Sequence, residues 1–165
     1  MLRWYILLSV SLSLIFFYTV LFPKTSVREK EYSVEYLCKF SLDDVLSLRL
    51  TSPVVEVLFM RDDKMSWRTV SGLSAPNVEE SLRVFLRTRI ERKFLSVPGS
   101  DQDFGFEIPD LSIKLGFVGT GPSWEVHFGD RTPDGFGRFA RIGDRRETLI
   151  LPDYQRENLS SLLIK

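Results

Sequence analysis

The hydrophobic positions of this chain fall into two regions with different patterns. From Trp4 to Phe22 no residue is charged, and about 20 apolar residues in a helix span the hydrocarbon of a bilayer. Beyond this run, apolar and polar positions alternate or recur at helical spacing, as is typical of a globular domain. The pattern predicts a short tail at 1–3, a transmembrane anchor at 4–22, a tether at 23–42 and one domain at 43–165.

The apolar run is interpreted as a retained anchor rather than a cleaved signal peptide or a soluble core helix. A signal peptide has a shorter apolar core, followed by small residues at the cleavage site. Here the run continues into Phe-Pro-Lys-Thr-Ser at 22–26. Trp4, Tyr5 and Tyr18 lie near the two ends of the run, where aromatic rings prefer the membrane interface.

The first half of the domain predicts a short β-meander followed by a helix. Val45–Leu50, Val54–Met60 and Met65–Val70 are β-rich runs separated by turn-forming residues. Asn77 and Glu80 have the spacing of a capping box, from which a helix is predicted to about Lys93. Its apolar stripe recurs at helical spacing and consists of Val78, Leu82, Phe85, Leu86 and Ile90.

The second half predicts strands and a terminal helix. Residues 111–117 and 124–128 alternate between apolar and polar positions, as in half-buried strands. Residues 136–142 and 145–151 are joined at Gly143-Asp144, which suits a hairpin. A final helix follows Pro152-Asp153, with Leu159, Leu162 and Leu163 on one face. This order predicts an α+β fold with a largely antiparallel sheet and one main packed helix.

The charge of the chain excludes some classes of protein. It has 165 residues, with 22 Lys and Arg against 22 Asp and Glu. A net charge of zero does not suit a protein that coats nucleic acid, so no nucleic-acid partner is predicted. Residues 1–30 carry +3 and the remainder carries −3. The single cysteine provides no disulfide framework.

The motifs that could carry chemistry favour structural interpretations. Gly116–Gly121 precedes another strand rather than a helix, so a hairpin turn is predicted instead of a nucleotide loop. His127 is the sole histidine and shares a strand face with Glu125, as a surface residue does. Cys38 has no motif that would activate it, and a buried thiol is predicted. Asp101–Glu107 fails the register of a calcium loop and is interpreted as a turn.

Two sets of arginines are candidates for a role beyond solubility. Four of them surround the last hairpin among acidic residues, and form a solvated face or a surface for a partner or anionic lipid. Arg89 lies at an angle within the apolar stripe of the predicted helix, and either extends past the helix end or pairs with a carboxylate from Asp101 to Asp110. A structural ion pair is predicted for Arg89. The four hairpin arginines are Arg138, Arg141, Arg145 and Arg146.

Several motifs follow one another along the domain: Trp67, the Asn77 helix, Asp103-Phe-Gly105-Phe106 followed by Pro109, the Val126–Gly129 strand end and Phe139-Ala-Arg141. Their order resembles an uncharacterised family, domain-of-unknown-function family 4340, over about residues 45–160. The resemblance implies a membrane-anchored envelope protein whose domain faces away from the cytoplasm, and some relatives look like accessory components of ABC-type transport or gliding machinery.

Charge near the ends of the run leaves the orientation in the membrane open. Arg3 and the terminal amine face Lys24, Arg28 and Lys30 on the other side, a count that mildly favours a cytoplasmic domain. The family resemblance instead implies a domain on the periplasmic or extracellular side. We adopt the second orientation as the prediction.

The sequence therefore predicts a non-enzymatic, single-pass membrane protein whose domain binds a protein partner, plausibly as an accessory to an envelope transport or assembly complex. Residues 4–22 would contact membrane lipid, and no catalytic residue, cofactor or metal is predicted. The alternative is a membrane-anchored hydrolase or small-ligand-binding domain. The two differ in whether a concave pocket collects His127 together with carboxylates.

Overall fold

The computed structural model describes residues 34–97, 99–119 and 122–163. It contains one antiparallel sheet of eight strands, in the spatial order β3-β2-β1-β5-β6-β7-β8-β4, with two α-helices. The predicted α+β class with a largely antiparallel sheet is confirmed. The strands are β1 (Val45–Thr51), β2 (Glu56–Arg61), β3 (Trp67–Thr69), β4 (Arg92–Leu95), β5 (Leu111–Phe117), β6 (Trp124–Arg131), β7 (Gly137–Ile142) and β8 (Glu147–Pro152); the helices are α1 (Asn77–Leu86) and α2 (Tyr154–Ser160).

Alternation along the central strands places the core on one face of the sheet. Ile113 of β5 lies opposite Leu50 of β1 on one side and Val126 of β6 on the other, and all three are fully buried. Both helices cover this face, since the buried residues of α1 and Leu159 of α2 belong to the same cluster. The opposite face carries the intervening side chains, which are mostly polar, because successive residues of a strand point to opposite faces.

The predicted hairpins are present. The β1-β2-β3 meander is formed by consecutive antiparallel strands. β5 and β6 are antiparallel neighbours, so the glycine-containing segment after β5 connects a hairpin, as predicted. The turn between β7 and β8 contains Gly143 at φ +48°, a left-handed conformation that glycine adopts at little cost.

The predicted helix is shorter than its hydrophobic pattern indicates, and its capping box does not form. Pro76 occupies the N-cap position, and no side chain caps the helix. α1 ends at Leu86 rather than near Lys93. The Thr88 hydroxyl donates to the Phe85 carbonyl at 2.5 Å, and Ile90 N–H donates to the carbonyl of Glu35 at 2.9 Å instead of continuing the helix. The chain then extends into β4 beside β8.

The packed domain begins before residue 43, the boundary that the sequence predicts. Leu37 and Cys38 are buried in the core, and the Leu37 N–H donates to the carbonyl of Thr88 at 2.9 Å. Residues 34–42 are therefore part of the domain rather than of a tether. The anchor predicted at 4–22 and the tether up to residue 33 lie outside the described residues. Within the described ranges, no helix has the length and apolar character needed to cross a bilayer.

Candidate functional site

The two edges of the sheet differ in how their backbone groups are paired. At β3 the following segment covers the outer side: Thr69 N–H donates to the Leu73 carbonyl, and Ala75 N–H donates to the Trp67 carbonyl, each at 2.9 Å. At the other end of the sheet, β4 pairs with β8 only, and within the described parts of the chain no further strand lies beside it. Among the described residues, β4 is thus the edge strand without an outer neighbour. Just before it, Ile90 N–H donates to the Glu35 carbonyl at 2.9 Å, and Lys93 forms a salt bridge with Glu35 at 2.6 Å.

The register of β4 identifies the backbone groups that face outward. Ser96 N–H donates to the Arg146 carbonyl at 2.9 Å, and Phe94 lies opposite Thr148 in the same ladder. Because hydrogen-bonded positions alternate along an antiparallel strand, the N–H and C=O groups of Lys93 and Leu95 point away from β8. These groups can therefore pair with another extended segment.

The side chains along this edge are exposed and largely apolar beyond Lys93. Leu95 is 75% exposed and Val97 is 72% exposed, whereas Phe94 is 36% exposed. A cleft of about 390 Å³ opens beside them and is bounded on its far side by Ser100, Asp103 and Phe104. An exposed apolar edge strand of this kind is a template for strand pairing. We refer to β4 together with Ser96 and Val97 as the open edge.

An aromatic cluster holds the cleft wall in place. The Phe104 ring lies 4.8 Å from the ring of Phe139 and 5.6 Å from that of Phe94, measured between centroids. The Phe104 carbonyl lies so close to Gly129 that any side chain at Gly129 would collide with it. The segment that carries Phe104 is thus seated on the sheet face opposite the helices, beside the open edge.

Arg138 lies in a partly buried ion-pair network and not on a surface for partners. Its side chain is 12% exposed, and it donates from Nε to Asp153 and from Nη1 to Asp110, each at 2.8 Å. Arg131 also contacts Asp153, at 2.5 Å, and Arg156 donates to Asp110 at 3.0 Å. The expectation that Arg138 belongs to an accessible arginine surface is wrong, because two carboxylates neutralise it inside the fold.

The electrostatics of Asp153 follow from this network. Its burial raises the pKa of the carboxyl, but hydrogen bonds from Arg138 and Arg131 outweigh burial, and the pKa is lowered from its ordinary value. Asp153 is therefore ionised in the folded protein at neutral pH, and it holds the end of β8 against β6 and β7.

Arg141 is also held within the structure, whereas its two neighbours in the turn are not. The Arg141 side chain is 14% exposed; it donates to Asp101 at 2.6 Å and stacks with its guanidinium carbon 4.2 Å from the centroid of Phe106. The pKa of Asp101 is lowered mainly by this hydrogen bond. Arg145 and Arg146 are exposed. The arginine surface predicted from the sequence thus separates into two paired residues, Arg138 and Arg141, and two accessible ones.

Arg89 does not form the predicted ion pair with the 101–110 segment. Its guanidinium carbon lies 5.9 Å from the ring centroid of Tyr36, and the two residues form an antiparallel bridge. Two of the four carboxylates in that segment pair with other arginines: Asp101 with Arg141, and Asp110 with Arg138 and Arg156. The prediction fails because α1 ends before Arg89, so the helical angle that motivated it does not apply.

His127 lies on the polar sheet face with Glu125, as its strand pattern predicts. Its Nδ1 is 2.8 Å from the hydroxyl oxygen of Ser112, and its Nε2 is 3.9 Å from a carboxylate oxygen of Glu125. His127 does not line any of five clefts among the described residues. The histidine, hydroxyl and carboxylate meet on the polar face of the sheet.

Two further candidates from the sequence have structural surroundings. Cys38 is buried, and burial raises the pKa of its thiol to about 12. The 101–107 segment forms a short 3-10 turn at 102–104, closed by Gly105 at φ +74°. Within the described ranges, His, Cys, Asp and Glu side chains do not form a group of three or more that could hold a metal ion.

The open edge is the feature that sequence reasoning missed. The helix predicted to about Lys93 includes the first two residues of β4, and no strand is predicted for residues 94–97. Pro98-Gly99 shortly after them is a turn signal that could have indicated a separate strand. Comparison of the chain with protein-family models, with curated proteins and with solved structures finds no match. The resemblance to the 4340 family stays a prediction.

Proposed function

We propose that this chain is a single-pass membrane protein, anchored by residues 4–22, whose non-enzymatic α+β domain binds a protein partner by pairing with an extended segment along the open edge. The observation that carries the proposal is an outer side of β4 that pairs with none of the described strands, with exposed Leu95 and Val97 beside a cleft. The uncharged run from Trp4 to Phe22 supports the anchor.

Strand addition explains why these features occur together. Backbone hydrogen bonds to Lys93 and Leu95 would supply affinity that does not depend on the partner's sequence. The cleft next to Phe94 would accept a side chain of the partner, and this contact would supply specificity. Natural sheets usually protect their edges, as β3 does here, so an unprotected edge with apolar side chains is suited to binding.

The geometry supports partner binding better than the alternative of an anchored hydrolase. General acid–base or nucleophilic catalysis requires that the reacting groups surround a bound substrate. The contact between Ser112 and His127 lies on the polar sheet face, outside the five clefts of the described residues. The open edge needs no such enclosure, because its contacts are made by backbone groups.

The family resemblance supports two further parts of the proposal. The domain lies on the periplasmic or extracellular side of the membrane, and it acts as an accessory to an envelope transport or assembly complex. Reporter domains that are active on only one side of the membrane, fused after Lys165, test this placement. Activity of the periplasmic or extracellular reporter is expected. Activity of the cytoplasmic reporter alone would contradict the envelope location.

Photo-cross-linking in cells tests the partner-binding surface. A cross-linking amino acid at Val97, on the open edge, is expected to yield one defined protein adduct, and the same probe at Val70, 72% exposed beyond β3, is expected to yield none. Leu95→Pro removes an outward N–H and an exposed side chain but no hydrogen bond to β8, so the Val97 adduct should be lost while the thermal midpoint changes little. Equal adducts from Val70 and Val97, or an adduct that survives Leu95→Pro, would contradict strand addition.

A further inference from the structure

One end of the domain brings together the start of the described chain, the end of α1, the start of α2 and the turn between β6 and β7. The Glu35 carbonyl accepts from Ile90 N–H, shortly beyond α1. Gln155 Nε2 of α2 lies 3.5 Å from the Val84 carbonyl oxygen of α1. In the turn, the Phe136 carbonyl accepts from the N–H that immediately precedes α2. We refer to these segments as the entry end, which consists of residues 34–36, 84–92, 132–137 and 153–156.

Three exposed aromatic rings lie at the entry end. Phe136 is 82% exposed, Tyr154 is 57% exposed and Tyr36 is 46% exposed. Elsewhere among the described residues, the most exposed aromatic side chain is Phe94, at 36%. Aromatic rings accumulate at the boundary between water and lipid, where their flat apolar bodies pack among the headgroups. The exposed aromatic surface of the described domain is thus concentrated at this end.

Two exposed arginines flank these rings. Arg87 and Arg89 follow α1, and the Arg89 guanidinium carbon lies 5.9 Å from the ring centroid of Tyr36. Neither arginine forms a salt bridge with another described residue. The nearby carboxylate of Glu35 is paired with Lys93 instead, at 2.6 Å. Both guanidinium groups can therefore contact an anion that approaches from outside.

The other charges beside the β6–β7 turn partly cancel. Arg92, Glu91 and Asp134 line one cleft. The Thr132 hydroxyl and the Phe136 N–H both donate to Asp134, and the pKa of Asp134 is lowered mainly by the hydrogen bond from Thr132. Arg87 and Arg89 are therefore the cations that this end of the domain presents most freely.

The described chain also begins at the entry end. Residues 23–33 separate the proposed anchor from Val34. Eleven residues extend to at most about 40 Å. The entry end is therefore the part of the described domain that this connection reaches first.

We propose that the entry end lies against the membrane surface, with the rings of Phe136 and Tyr154 at the level of the headgroups and with Arg87 and Arg89 bound to anionic lipid. This inference rests on the proposed anchor and adds a second contact with the membrane. Basic side chains are attracted to an anionic bilayer surface, and guanidinium groups form charge-assisted hydrogen bonds with phosphate oxygens. The contact holds the domain in one orientation on the bilayer.

A bilayer fits the entry end better than a folded protein does. Phe136 projects from a turn, whereas Tyr154 projects from the first residue of α2. These two side chains line none of five clefts among the described residues. A protein interface requires surfaces of complementary shape. Fluid headgroups instead rearrange around separate projecting rings.

A fluorescent label on an introduced cysteine measures this contact. Pro133→Cys, at an exposed position in the β6–β7 turn, would be labelled in the full-length protein and placed in nanodiscs of phosphatidylcholine and phosphatidylglycerol. Quenching by lipids that carry a headgroup spin label is expected. Cys38 should stay unlabelled, because burial raises the pKa of its thiol to about 12.

Val118→Cys is the matched control for the position of the label. Val118 is 66% exposed and directly follows β5. Because β5 and β6 are antiparallel, Val118 and the β6–β7 turn lie at opposite ends of the sheet. A label at Val118 should therefore not be quenched.

Two double variants assign the contact to the arginines. In Arg87→Gln with Arg89→Gln, the ratio of membrane-contacting to detached domains is expected to fall about 25-fold, which is about fivefold for each charge removed. Arg145→Gln with Arg146→Gln removes the same charge from exposed positions in the β7–β8 turn and should leave the quenching unchanged. Quenching that survives the first pair, or that is lost equally with the second, would overturn the inference.

The remaining outcomes separate this inference from the proposed anchor. If the chain stays in the discs through a wash at about 1 M salt, where exposed charges are screened, and the label at residue 133 is quenched no more than the one at 118, the anchor stands and the inference fails. Loss of the chain in that wash would contradict the anchor itself. Equal quenching in discs of phosphatidylcholine alone would overturn the role of anionic lipid.

Discussion

At the scale of single residues, Arg138 joins three parts of the chain through one guanidinium group. It reaches Asp110 before β5, Asp153 after β8 and the carbonyl of Gly129 in β6. A buried charge is tolerated only when other groups compensate for its loss of hydration. Arg138 therefore makes the mutual positions of these strand ends interdependent.

Replacing Arg138 by methionine should lower the free energy of unfolding by about 2 kcal/mol, because Asp153, 10% exposed, would keep only Arg131 of its two arginine partners. Arg49→Met is the matched control, since Arg49 and Glu56 form a pair whose side chains are 45% and 49% exposed. That control should cost less than about 1 kcal/mol. Urea unfolding of the full-length protein in detergent measures both, and equal losses would contradict the network's role.

The lowered pKa of Asp153 also predicts a dependence of stability on pH. A carboxyl whose pKa is lower in the folded protein stabilises the fold above its unfolded pKa of about 3.9, and this contribution is lost as the pH falls through the folded value. The thermal midpoint should therefore fall more steeply below about pH 4 in the unmodified protein than in Asp153→Asn. Parallel curves for the two proteins would show that Asp153 contributes nothing to acid sensitivity.

Gly105 is required for two reasons, its left-handed backbone conformation and its close packing, whereas Gly135 is required only for its backbone conformation. Both have a positive φ, +74° and +77°, but a side chain at Gly105 would collide with Asp130, whereas one at Gly135 would meet nothing. Gly135→Ala should cost about 1 kcal/mol, from backbone conformation alone. Gly105→Ala should cost about 1–3 kcal/mol more, from the collision. Thermal unfolding of the two variants measures the difference, and equal costs would contradict close packing of the 101–107 turn.

At the scale of elements, β4 should show alternating protection of its backbone amides. The N–H groups of Phe94 and Ser96 point toward β8, while those of Lys93 and Leu95 point outward. Hydrogen exchange in the absence of a partner should be slow at the first pair and fast at the second. An extended segment bound along β4 should slow exchange at Lys93 and Leu95. Uniform protection of all four amides in the free protein would contradict an open edge.

Elements with a strong local pattern could be predicted from the sequence, and those defined by distant contacts could not. β5 was predicted with its observed bounds, because Leu111, Ile113 and Leu115 alternate with polar residues. The end of α1 was not, because the carbonyl of Glu35 accepts from Ile90, and no local pattern reveals this pairing. The ion pairs of Arg138 could not be predicted either, because its carboxylate partners are 15 and 28 residues away along the chain.

At the scale of the whole molecule, residues 34–42 are part of the domain's core, and Cys38 reports on this packing. Because burial raises the pKa of its thiol to about 12, the reactive thiolate is scarce in the folded protein at pH 8. A disulfide reagent should label Cys38 at least about a hundredfold more slowly in buffer than in urea. Equal rates would show that residues 34–42 do not stay packed against the sheet.

The unequal edges of the sheet also set an upper limit on self-association. Because the segment 73–75 occupies the outer side of β3, the described part of one copy offers a single edge for strand pairing. Two copies that met through β4 would use that edge on both molecules, related by a twofold axis, and would leave none for a third. Assembly by this route stops at a dimer, so the edge that can receive a partner cannot propagate a fibril.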